Sequence, residues 1–425
     1  MTRYSSLFVS SHGWQPLVLT GLLALGLVTA SCQKEEFDDH YTLQDDAGFG
    51  SVSTIGGSLA TKYAPGETVP VIVAFNQADN LKDITVFQVI NKLDSMVVGT
   101  YSANGQYQST PQLYTQIVPY TVPGTLANKT PVRVDVTLNF ADGSKRLRRF
   151  TYTAANSPTL KFGTTPVTYR NGLSATQQSS GDVLGYSILL NEGGIATVPT
   201  AGSTATLFKN VDSLTYFVRS GTDAPKRLGV VRGPSAGAAT TVTVNAPVPA
   251  NSNGQTLTYS FVAYAQNTST SLTAAPINIV GPTSFATALK TGRVVFGAGA
   301  PADSVAFNLK TALNEPNNGP TANKDLYVSG ISTTSFTLAA ANTTRYYKLT
   351  PAQVASGLYT SATANAIGLL LFQNTTSADL GIVAVNDVYA VRVRGTGEMM
   401  LLRVTGIKSS SAGSTGRVKF EYRTL

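Results

Sequence analysis

Along most of this chain apolar and polar residues alternate with a period of two, and the 3.6-residue period of an amphipathic helix is nearly absent. Such alternation sends successive side chains to opposite faces of a strand, one against a core and one toward water. Residues 69–75, 83–90 and 132–140 read this way, with Val132, Val134, Val136, Leu138 and Phe140 sharing one face. Ala141, Asp142, Gly143 and Ser144 then interrupt the pattern before it resumes to Tyr152. Two alternating runs joined through Asp-Gly predict a β-hairpin. The expected fold class is therefore all-β.

The plan repeats. Residues 182–190 and 212–219 stand where 69–75 and 83–90 stood. In each unit a proline-bearing turn (122–130, then 248–255) precedes a long strand (132–140, then 257–264). Strand number and spacing predict two tandem immunoglobulin-like sandwiches, although the Cys…Trp…Cys signature of antibody domains is missing. From residue 284 the pattern changes. Residues 293–296, 304–309 and 366–372 read as strands, the last apolar on both faces and hence buried. Residues 388–394, 399–405 and 417–423 alternate, the first two joined through Gly395-Thr396-Gly397. Thr350 as N-cap, Pro351 at the first helical position and Gly357 at the end bracket one short helix. The expected organisation is a leader (1–31), a tether (32–55), immunoglobulin-like β-sandwiches at 56–156 and 157–283, and a C-terminal antiparallel β-domain with one short helix at 284–425. A length of 425 residues accommodates this at ~100–200 residues per domain.

The start of the chain is set apart from fold reasoning. Arg3 is its only charge, and the apolar run 17–28 is shorter than the ~20 residues of a membrane span. Thr29, Ala30 and Ser31 then precede Cys32. This resembles the lipobox of bacterial lipoproteins, with Thr29 where that family prefers Leu. The resemblance implies a signal peptide cleaved before Cys32 and palmitate-type acyl chains on that cysteine, each buried CH₂ adding ~0.8 kcal/mol to membrane attachment. Cys32 is the only cysteine, so no thiol remains for a disulfide and each domain must rest on its own apolar core. The following Gln33-Lys34-Glu35-Glu36-Phe37-Asp38-Asp39 resembles the surface-export signal of Bacteroidota lipoproteins. That implies an outer-membrane protein facing the cell exterior on a flexible tether.

Charge is uneven. Of 31 bases and 23 acids, one base and six acids fall in residues 33–49, and residues 50–425 keep 29 bases against 17 acids. A basic body favours anionic partners. The densest cluster, Lys145, Arg146, Arg148 and Arg149, divides between the two faces of one strand. In the last sheet, alternation places Arg392, Arg394, Arg403, Arg417, Lys419 and Arg423 on one face. That face is either an anion-binding surface or the wet side of an antiparallel sheet. Nucleic acid is not expected, because the compartment is wrong and aromatic residues do not interleave with these bases.

The missing chemistry is equally informative. His12 and His40 are the only histidines, so residues 50–425 contain neither His nor Cys. The usual general base, zinc ligands and thiol nucleophile are absent there. No Gly-x-Ser-x-Gly elbow, Walker loop or zinc motif occurs. A carboxylate-pair hydrolase is the one enzyme class left open. The expectation is a protein without catalytic residues, metal or cofactor; Asp79, Asn80 and Asp83 lack a regular calcium-loop spacing.

Two family resemblances bear on function. Residues 387–394, the glycine turn, Leu402-Arg403-Val404-Thr405 and residues 416–422, together with Phe307-Asn308-Leu309-Lys310-Thr311, resemble HmuY-like haem-binding lipoproteins. That implies paired axial side chains, commonly His and in some relatives Met. No His is available, and adjacent Met399 and Met400 point to opposite faces of a strand, so the resemblance extends to fold without site. The order of lipobox, tether, immunoglobulin-like unit and further β-domains resembles the SusE/SusF-type surface glycan-binding lipoproteins, which implies sugars stacked on aromatic platforms. Trp14 falls in the leader, leaving tyrosine. Tyr101, Tyr107, Tyr114 and Tyr120, near Asn104 and Gln106, are the first candidate platform; Tyr346, Tyr347 and Tyr359 are the second. Half-burial at sandwich edges is the alternative for both. The candidate ligand residues are thus Tyr101, Tyr107, Tyr114, Tyr120, Arg392, Arg394 and Arg403, with Cys32 for the lipid. The leading expectation is non-catalytic binding or adhesion toward a glycan or other surface polymer, with the membrane as a partner through the lipid. The runner-up is a structural subunit held by an outer-membrane protein partner, and the third is a haem or small-ligand carrier.

Overall fold

A computed structural model describes residues 48–55, 57–199, 202–286, 288–297, 304–409 and 415–425. Cys32, the leader and most of the tether lie outside the described residues. The all-β expectation holds, in three successive sheet pairs with separate cores.

In the first unit, Gly50–Thr54, Thr68–Phe75, Leu113–Thr121 and Gln106–Gln108 form one sheet. The facing sheet runs Lys62–Tyr63, Lys145–Ala154, Pro131–Phe140, Leu81–Ile90 and Ser95–Ser102. Val69, Val71, Val73 and Phe75 alternate inward from one sheet, and Val132, Val134, Val136 and Leu138 from the other. The hairpin at Asp142-Gly143 is present. Gly143 takes φ 88°, and Asp142 Oδ1 accepts the Ser144 amide at 2.8 Å. The basic cluster on its return strand works internally. Arg146 and Arg148 donate to the carbonyls of Gly48 and Gly50, and Arg149 pairs with Asp135.

The second unit pairs a sheet of Leu160–Tyr169, Val183–Leu190 and Thr240–Pro247 with one of Lys226–Ser235, Val211–Ser220, Thr256–Ala265 and Thr268–Thr273. Its core centres on Tyr186, Tyr259 and Phe261, with Tyr186 and Phe261 edge-to-face at 5.0 Å.

In the third unit, one sheet runs Lys290–Gly297, Thr415–Thr424, Met399–Ser409, Val388–Arg392 and Arg345–Lys348. The second runs Leu313–Glu315, Ala306–Asn308, Leu326–Ile331, Phe336–Ala339 and Asp379–Ile382. Among its described residues three short helices, Pro351–Ala355, Leu358–Ser361 and Ala364–Gln373, are present instead of one. The first carries the expected cap, Thr350 Oγ1 accepting from the Gln353 amide and Gln353 reaching back. The third corrects a strand expectation. Residues 366–372 are helical because Thr363 caps them and Ala and Leu favour helix. Their two-sided apolarity has two causes. Ala364, Ile367 and Leu371 pack on the outer face of the larger sheet with Met399 and Leu401, and buried Gly368 lies against the second unit. Residues 388–394 are also not one strand. The strand stops at Arg392, and Arg394 takes a left-handed φ of 51°.

Buried polar groups fasten the units together. At the first joint Lys209 Nζ donates to both Glu67 oxygens at 2.7 Å and to the Ala265 carbonyl at 2.8 Å, both side chains at most 2% exposed. The Ala64 amide and Asn267 Nδ2 complete the shell around the carboxylate. At the second joint Asp182 Oδ2 accepts from Asn365 Nδ2 at 2.7 Å, and Asn365 also reaches the Gln177 carbonyl. Leu173 of the second unit is buried among the helix residues of the third.

Candidate functional site

Strand parity distributes the first tyrosine set. Val118, Tyr120 and Val122 point inward, so Tyr120 is a core residue at 2% exposure rather than a platform. Its hydroxyl donates to Gln88 Oε1 at 2.7 Å and meets the Tyr152 hydroxyl at 2.7 Å. Burial pushes its pKa up to about 12. Tyr101 donates to the Pro119 carbonyl at 3.0 Å, and its ring closes over Gly99. Tyr114 is half-buried and stacks on Phe75 at 6.1 Å. Tyr107 is the open ring, 55% exposed and tilted on Tyr114 at 5.5 Å. The four therefore make no coplanar platform. In the second set Tyr346 and Tyr359 are buried, the former donating to the Asp325 carbonyl at 2.6 Å.

The arginine row divides as well. Arg394 clamps fully buried Asp325, with Nε and Nη2 each 2.8 Å from a carboxylate oxygen, and Nη2 also meets Asn308 Oδ1. The Asp325 hydrogen bonds hold the Arg394 guanidinium above its usual pKa. Thr344, Asn342 and the Leu309 amide complete this hub, so Arg394 is structural. Arg403 donates to Glu421 Oε1 at 2.9 Å and lies 4.7 Å above the Tyr359 ring, while Arg423 caps carbonyls of Tyr359 and Thr360. Both fasten the helical layer to the sheet. Half-buried Arg392 sits against Gly172, and burial lowers its pKa.

Arg417 and Lys419 keep the outward orientation that alternation implies, since Val418, Phe420 and Tyr422 fill the core. The structure sets Arg293 directly opposite Lys419, and Lys408 opposite Arg417. Sequence reasoning did not join these two bases to the face. Arg293 lies on a strand distant in sequence. Lys408 reaches the face through a register shift between Val404 and Gly406, which alternation does not announce.

Among the described residues a ligand-sized concavity lies elsewhere. An open groove of about 700 Å³ crosses the outer face of the second unit's three-stranded sheet. Thr165, Thr168, Ser187, Thr241 and Thr243 supply hydroxyls to it. Lys161, paired with Glu192, lies at its edge, as does Arg170, which donates to Asn245 Oδ1 at 2.9 Å. A smaller cavity of about 260 Å³ around Lys62, Lys209 and Asp212 belongs to the first joint.

Among the described residues no group of three or more His, Cys, Asp or Glu is placed to hold a metal. Asp79 Oδ2 accepts the Phe49 amide and Asp83 Oδ1 accepts from Asn139, so those acids serve the fold. Met399 and Met400 are both buried, in different clusters on opposite faces, and form no axial pair. No described helix is long and apolar enough to cross a membrane.

No family model matches the chain, and no curated protein matches it. Among solved structures, a DUF4466 family protein from Parabacteroides merdae aligns at 12% identity over 64% of this chain and 100% of its own, with a TM-score of 0.23. A two-domain fibronectin type-III segment of chicken tenascin aligns at 10% identity over 54% and 98%, with a TM-score of 0.18. A bacterial ice-binding adhesin aligns at 13% identity over 88% and 96%, with a TM-score of 0.21. Likenesses at these scores carry no argument about ligand or role. The sandwich assignment rests on the sheets themselves.

Proposed function

We propose that this chain is a non-catalytic, lipid-anchored surface protein that binds or adheres to a glycan or similar polymer. The observation that carries the reading is the hydroxyl-lined groove on the second unit. It is open rather than enclosed, and its Thr and Ser side chains offer both donors and acceptors to a polyhydroxylated chain. Small-molecule pockets are more often enclosed and apolar. The buried joints on either side of this unit support the reading, because they hold a binding surface in fixed relation to its neighbours. Attachment through Cys32 follows from the lipobox resemblance and display toward the cell exterior from the acidic run 33–39 after it, and both belong to the same proposal. The test is retention of the protein on immobilised neutral and acidic polysaccharides. Saturable, sugar-dependent retention is expected. Absence of retention across the panel would overturn the reading in favour of a structural subunit.

A further inference from the structure

We infer that the bare half of the third unit's larger sheet is a binding site for an acidic polysaccharide, an assignment that rests on the polymer-binding reading above. The outer face of this sheet is divided. The helix Ala364–Gln373 and its neighbours cover one half through Ile367, Leu371, Met399 and Leu401. Past Arg403 no described helix residue joins the apolar cluster on the face, and among the described residues it carries four cations. Arg293 stands directly opposite Lys419, and Arg417 opposite Lys408. Opposed positions lie about 5 Å apart and alternate residues of one strand about 7 Å apart. The four charges therefore form a compact grid.

Three observations make this grid more than the wet side of a sheet. Like charges directly opposite one another are destabilising, yet two such pairs stand side by side. The carboxylate on this part of the face, Glu421, is already engaged by Arg403. Among the described residues none of the four cations has an acidic partner. The register shift between Val404 and Gly406 is what turns Lys408 outward and leaves Ile407 on the core side. Without that extra residue Lys408 would point inward.

Flatness and chemistry select the ligand. Among the described residues this half of the face offers no aromatic ring on which a base could stack. Nor does it offer the apolar centre of a protein interface, its other described residues there including Val295, Gly297, Gly406 and Thr415. An extended polymer with a negative charge on successive sugars meets successive cations, and its charge complements a patch that has no acidic partner among the described residues.

The experiment titrates the full chain with polygalacturonate and, separately, with neutral dextran, at low and physiological salt. Arg293→Gln/Lys419→Gln removes half of the patch. Arg227→Gln/Arg232→Gln removes two exposed arginines from the second unit as a control. The patch variant is expected to bind polygalacturonate about tenfold more weakly, with dextran binding and the control unchanged. Its melting temperature should stay level or rise, because a like-charge pair is relieved. A fall in melting temperature would make these side chains part of the fold's own packing and overturn the inference. Equal losses in patch and control variants would overturn it too. So would retention of anionic phosphatidylglycerol vesicles without polygalacturonate. Dextran binding by a wild-type chain that ignores polygalacturonate would sink this site and leave the polymer reading standing. Binding of neither polymer would remove both.

Discussion

Lys209 holds the first joint through a charge pair taken fully out of water. Burial lowers its pKa, and Glu67 opposes that shift. Removing one partner strands the other, which costs about 3–5 kcal/mol, whereas replacing both with apolar residues is close to neutral. Lys209→Met should therefore lower the urea midpoint strongly, and Glu67→Leu/Lys209→Met should recover most of the loss. Equal midpoints for the wild type and Lys209→Met would contradict this account of the joint. Tyr120 gives a second residue-scale prediction. Its pKa is raised to about 12 in the fold, against about 10 in an unfolded chain. Its contribution is complete below pH 10 and is lost as pH rises toward 12, because only the unfolded state ionises in that window. Stability should fall there by about 1.4 kcal/mol per pH unit for each such tyrosine. A denaturation midpoint unchanged between pH 10 and 12 would refute it. The buried position of Tyr120 was legible in Val118-x-Tyr120-x-Val122, an alternation as clean as those used elsewhere. Grouping it with its neighbours by residue type hid that signal.

At the scale of elements, alternation located Pro131–Phe140, Thr256–Ala265 and the Asp142-Gly143 hairpin, because a half-buried strand shows its core in every second residue, but it passed over the equally long Leu160–Tyr169 and Lys226–Ser235. It misplaced Ala364–Gln373, since a short run apolar on all sides is compatible with a buried strand or a buried helix. Gly368 shows what the second apolar side is for. Gly→Ala in a helix ordinarily gains about 1 kcal/mol. Here an added Cβ would lie 2.1 Å from the Asn171 carbonyl oxygen of the second unit. Gly368→Ala should therefore destabilise, by the roughly 1–3 kcal/mol typical of overpacking, and should increase proteolysis between the second and third units. A raised melting temperature would show that the helix does not press on that loop. The register shift after Val404 lies at the same scale, and nothing in local alternation marks it.

For the whole molecule, the all-β class was legible, because it is a sum of local periodicities. The joints were not. Glu67 and Lys209 stand 142 residues apart, and each reads as an ordinary surface charge. The basic surface was legible only in part. The chain's excess of bases is plain from composition, but which of them fasten the fold and which stay free depends on partners brought together by topology. Arg394 finds Asp325 and Arg403 finds Glu421, while among the described residues Arg417 and Lys419 face Lys408 and Arg293 and no acid. The central claim is that the chain presents a polymer-binding surface. Its most direct test is retention on neutral and acidic polysaccharides at physiological ionic strength, where diffuse charge attraction is screened beyond about 8 Å. The account predicts saturable binding that depends on sugar identity and persists at that salt. Retention that vanishes on raising salt to the physiological range, or that is equal for every polymer, would contradict it.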